Sequence, residues 1–97
     1  MAEMLNEENK ELCWDLLAKY GVALQKCVLI EECAELQKAV CNLFRACDED
    51  TERYYAENFK EELVDVIVMC QEMLLTENMS MDEVNRRAKA KLERALK

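Results

Sequence analysis

The chain has 97 residues, one glycine, no proline and a net charge of −8. With 52% hydrophobic residues it holds too much apolar material for a disordered chain, and too few turn formers for a β-sandwich or small barrel. The absence of histidine excludes Ser-His and Cys-His nucleophile pairs, imidazole-bound zinc and Glu-x-x-His di-iron bundles.

The pattern predicts a single all-α domain over 1–97, an antiparallel helical bundle of about four helices. The first helix runs from an Asn6 N-cap to Tyr20, where Gly21 sits as a terminating glycine. Trp14 falls in its Leu12/Leu16/Leu17 region and reads as core. The second helix runs from about Val22 to Ala46, and Asp48-Glu-Asp-Thr51 breaks it and offers new caps. The third runs from about Glu52 to Thr76. After a turn at Glu77-Asn78-Met79, Ser80-Met-Asp-Glu83 has the form of a capping box that opens a fourth helix, ending near Leu96.

Leu29, Cys33, Leu36, Val40, Leu43 and Cys47 make an apolar stripe on the second helix. Phe59, Leu63, Val66, Cys70 and Met73 repeat it on the third, offset by 30 residues. The short connection makes these two helices antiparallel.

Charge is unevenly spread. Residues 86–97 hold six basic residues and one acid, net +5, so residues 1–85 carry −13. So acidic a body repels a phosphodiester backbone, which argues against duplex nucleic acid as partner. The basic end either complements a helix dipole or meets a small phosphate. No apolar run reaches a membrane span, and the acidic N-terminus lacks the pattern of a signal peptide. These features predict a cytoplasmic protein whose six cysteines are reduced thiols. No C-x-x-C pair occurs, and Cys33, Cys47 and Cys70 read as small hydrophobes.

The same 30-residue offset relates Glu31 to Glu61, Glu32 to Glu62, and Glu35 to Asp65. At about 100° per residue, Glu32 and Glu62 lie roughly 60° from their stripe centres, and Glu35 and Asp65 roughly 120° on the same side. Adjacent helices thus turn two carboxylates each towards one groove. Like charges so placed repel, and neither run holds a Lys or Arg. Either both runs are solvated faces, or a divalent cation neutralises them. Four oxygen donors favour Mg²⁺, or Mn²⁺, and such a cation leaves coordination positions for phosphate oxygens.

Glu31-Glu32-Cys-Ala-Glu35-Leu36, then 26 residues between Glu35 and Glu62, then Glu61-Glu62-Leu-Val-Asp65-Val66, resembles the E-x-x-E … E-x-x-D signature of the MazG-like all-α nucleoside triphosphate pyrophosphohydrolases. Tyr20-Gly21, Gln25, Asn58 and Lys91-Leu-Glu-Arg94 extend the resemblance over roughly 20–96. It implies a Mg²⁺-dependent enzyme that cleaves a (d)NTP to the monophosphate and pyrophosphate. Glu32, Glu35, Glu62 and Asp65 would hold the metal, and Lys91 and Arg94 would bind phosphate. Asn58 would contact substrate or orient Glu62. The leading acids Glu31 and Glu61 are the candidate catalytic residues. The resemblance also implies a homo-oligomer, dimer or tetramer, and so small a chain has physical reason to complete its bundle that way. Trp14, Tyr20, Tyr54 and Tyr55 are candidates to stack on a base, with core the favoured reading for Trp14. The rival reading is a non-catalytic helical interaction or regulatory module.

Overall fold

The computed structural model describes residues 4–97; residues 1–3, which open the acidic N-terminal stretch, lie outside them. Four helices follow one another: α1 Glu7–Tyr20, α2 Val22–Arg45, α3 Glu49–Thr76 and α4 Met81–Ala95. No strand occurs among the described residues. The expected all-α bundle is therefore present. None of the helices is long and apolar enough to cross a membrane.

Local chemistry sets the boundaries. The Asn6 side chain accepts from the Asn9 N–H at 2.9 Å, and Glu7 and Glu8 follow at the positive end of α1. Gly21 joins α1 to α2 without a loop. Its N–H donates to the Leu17 carbonyl and its own carbonyl accepts from Gln25. The backbone there has φ 86° and ψ 156°, a conformation that glycine adopts and side-chain-bearing residues avoid. Asp48 caps α3 by accepting from the Thr51 N–H at 2.8 Å. α3 accordingly starts at Glu49, earlier than the expected Glu52, and takes Glu49, Asp50 and Glu52 into its first turn. Cys47 lies beyond the end of α2 and is exposed, which corrects its assignment to the apolar stripe.

α3 closes in a Schellman arrangement. Asn78 takes the left-handed position at φ 52°, Asn78 N donates to Leu75 O, and Met79 N donates to Leu74 O. Ser80 then caps α4 by accepting from the Glu83 N–H at 3.1 Å. The Glu83 carboxylate turns along the helix to Arg87 at 2.9 Å.

α2 and α3 form an antiparallel hairpin, and α1 packs across both. α4 packs against none of them. The bundle is thus three helices with a fourth extending from it. Its buried apolar residues are few: Cys13 and Leu17 from α1, Ala39 from α2, Met69 and Leu75 from α3. The α2 stripe from Leu29 to Leu43 and most of the α3 stripe are only half-buried, and Leu63 is exposed. Trp14 is also exposed rather than core.

The most deeply buried large side chains are polar, Gln71 and Glu72, both at 0% exposure. The Gln71 amide oxygen accepts from the N–H groups of Met4 and Leu5 at 2.7 and 2.9 Å, tying the start of the chain to α3. Oriented to satisfy both groups, the Gln25 amide nitrogen donates to the two Glu72 oxygens at 2.7 and 3.2 Å. That pair links α2 to α3. Burial raises the Glu72 carboxyl above its usual range. It also raises the Cys13 thiol, with the charge of Glu72 adding to the effect.

Candidate metal centre

Because α2 and α3 run antiparallel and each carries its acids on the same edge of its stripe, the two acidic runs meet. Carboxylate oxygens of Glu32, Glu62 and Asp65 lie within 4.8 Å of one another. Glu32 and Glu62 are half-buried and Asp65 is exposed. The pairing is crossed: Glu32 of α2 meets Asp65 of α3, as the two-fold-like offset of the runs requires.

Electrostatics bind these groups into one unit. Partial loss of hydration raises the Glu32 carboxyl, followed by the charges of Asp65 and Glu62, a hydrogen bond with Asp65, and the charge of Glu35. Glu62 is raised for the same first reason, then by Asp65, Glu35, a hydrogen bond with Asp65, and Glu61. Glu35 stands outside the converging trio, yet its charge acts on both half-buried members. The set offers only hard oxygen donors, which fits Mg²⁺ or Mn²⁺ and not a thiophilic ion. A divalent cation would also offset the lost hydration and the mutual repulsion that raise Glu32 and Glu62.

Glu31 and Glu61 are exposed, and neither belongs to the converging trio. Asn58 lies one turn before Glu62 and lines a groove beside the acids. That groove has a volume of about 380 Å³. Its α2 wall is Glu35, Lys38 and Asn42; its α3 wall is Tyr54, Tyr55, Asn58 and Glu62. Lys38 and Asn42 were not anticipated as site residues. Their spacing from Glu35, three and seven residues, was the available signal, since it sets them on the same helix face. Tyr20 is exposed at the end of α1, where Lys19 lies 5.2 Å above its ring. Lys91 and Arg94 lie exposed on α4, away from the acids within the single chain.

The cysteines take no part in the centre. All six are free thiols. Burial raises Cys70, with Cys33 across the hairpin adding to it, which lowers its nucleophilic character. Among known proteins no family model, no curated protein and no solved structure matches the chain.

Proposed function

We propose that the chain is a Mg²⁺-dependent nucleoside triphosphate pyrophosphohydrolase of the MazG-like all-α type. The observation that supports it best is the convergence of Glu32, Glu62 and Asp65 from two antiparallel helices, with Glu35 at their edge. Glu32, Glu35, Glu62 and Asp65 would hold the cation. When bound, such a cation supplies Lewis-acid chemistry to a phosphoryl group. Either Glu31 or Glu61, each next in the chain to one of these acids, would accept the one proton that the attacking water gives up. The water oxygen bonds to a phosphorus of the α–β anhydride. The bridging bond breaks, and the monophosphate and pyrophosphate leave.

The acid centre carries negative charge towards a polyanionic substrate, so cations are needed around it. Lys91 and Arg94 do not reach it within one chain, and this favours a homo-oligomer in which α4 of one copy approaches the acids of another.

Incubation with a panel of NTPs and dNTPs and Mg²⁺ tests the activity. Equal amounts of monophosphate and pyrophosphate are expected from at least one member, with a loss of 100-fold or more in Glu62→Ala. Release of inorganic phosphate alone, or equal rates in Glu62→Ala, would contradict it.

The non-catalytic interaction module is favoured by one observation: α4 is unpartnered and exposes Leu92 and Leu96. It predicts no product from any nucleotide and no effect of Mg²⁺ on melting.

A further inference from the structure

The groove beside the acids differs from them in chemistry. Counting along α2 at about 1.5 Å per residue, Lys38 stands roughly 4.5 Å and Asn42 roughly 10 Å beyond Glu35. On α3, Asn58 stands about 6 Å and Tyr54 about 12 Å beyond Glu62, in the matching direction. The groove therefore starts at the acids, passes a cation and ends among two aromatic rings and an amide. Lys38 makes no ion pair among the described residues although Glu35 stands one turn before it, whereas Lys10, Arg53, Lys60 and Arg87 each pair with the acid one turn away. Tyr54 is 70% exposed, and its ring meets Tyr55 edge-on at 5.6 Å, so a ring face stays open. Asn42 and Asn58, both half-buried, offer donors and acceptors at the groove wall.

We infer that this groove is the nucleoside subsite of the proposed hydrolase: Lys38 meets a phosphate oxygen, Tyr54 stacks on the base, and Asn42 and Asn58 hydrogen-bond the nucleoside. The inference rests on the hydrolase reading for its ligand class. An aromatic face recognises a base's π-surface. An unpaired lysine supplies a point charge for phosphate. The volume lies in the range of small-molecule sites. The order of groups matches the order in a nucleotide, with phosphates towards the acids and base away from them.

Calorimetric titration with α,β-methylene nucleotides and with inorganic tripolyphosphate, in the presence of Mg²⁺, tests this in the full chain. Tyr54→Ala, whose side chain is largely exposed, should keep the wild-type melting curve. It should weaken nucleotide binding about tenfold and leave tripolyphosphate binding unchanged. Lys38→Ala should weaken both ligands. Wild-type nucleotide affinity in both variants overturns the subsite, whether or not the wild-type protein hydrolyses nucleotides. Binding that depends on Tyr54 and Lys38 without any hydrolysis keeps the subsite and overturns the hydrolase reading. A wild-type protein that neither binds nor cleaves any nucleotide overturns both.

Discussion

Glu72 shows how one buried side chain ties stability to pH. It is fully enclosed, and its carboxylate is satisfied by Gln25. Burial raises its proton affinity, so the neutral form is favoured in the fold more than in the unfolded chain. The stability it contributes is complete below the ordinary carboxylate value of 4.5 and is lost as pH rises through the raised folded value. Glu32 and Glu62 act in the same direction. Urea unfolding from pH 5 to pH 8 should show falling stability in wild type and a shallower fall in Glu72→Gln; equal slopes would refute the assignment. Glu72→Ala strands the Gln25 amide and opens a cavity, a loss of roughly 2–4 kcal/mol. None of this was legible in the sequence, because Glu72 there is one acid among 21. Burial of a charged residue depends on what packs around it, and the Gln25 that meets this one comes from another helix.

The helices themselves were largely legible. Asn6, Asp48 and Ser80 each declare a helix start by offering a side-chain oxygen three residues before an open N–H. Gly21 and Asn78 mark the stops, since both take backbone conformations with positive φ. The acid cluster was legible too, because its residues keep a fixed angle to an apolar stripe on each of two helices. Lys38 and Asn42 were missed because apolar periodicity says nothing of polar neighbours further along the same face. The placement of α4 was also hidden: an amphipathic pattern shows that a helix has a partner face, not where the partner is. This isolation gives a sharp expectation for Ser80→Ala. Loss of the cap costs about 1 kcal/mol in α4 alone. Helical circular dichroism should fall slightly, while cooperative unfolding of α1–α3 should keep its midpoint. A drop in the main transition would mean that α4 is docked.

The whole chain presents more surface than its mass warrants. It exposes 7227 Å², against about 5,800 Å² for a compact monomer of 11.4 kDa. Its radius of gyration is 15.9 Å, against about 12.5 Å for a compact domain of this length. Phe44 at 86% and Leu96 at 87% exposure are part of that excess. Self-association is the simplest way to cover such a surface. Light scattering on the eluting peak should give a multiple of the monomer mass, and Leu92→Glu with Leu96→Glu should shift it to the monomer. A wild-type monomer would leave the isolated α4 without that explanation.

In the proposed function the four acids of α2 and α3 form a hard-cation centre. Thermal melting with and without Mg²⁺ reaches it most directly. Binding at 100 times the dissociation constant stabilises by about 2.7 kcal/mol, a shift on the order of 10 °C for a domain this small. The wild-type protein should show that shift, and Glu62→Ala should lack it. Without metal, Glu62→Ala should melt no lower than wild type, since it removes one member of a repelling set. No shift in wild type, or an equal shift in Glu62→Ala, would contradict the claim.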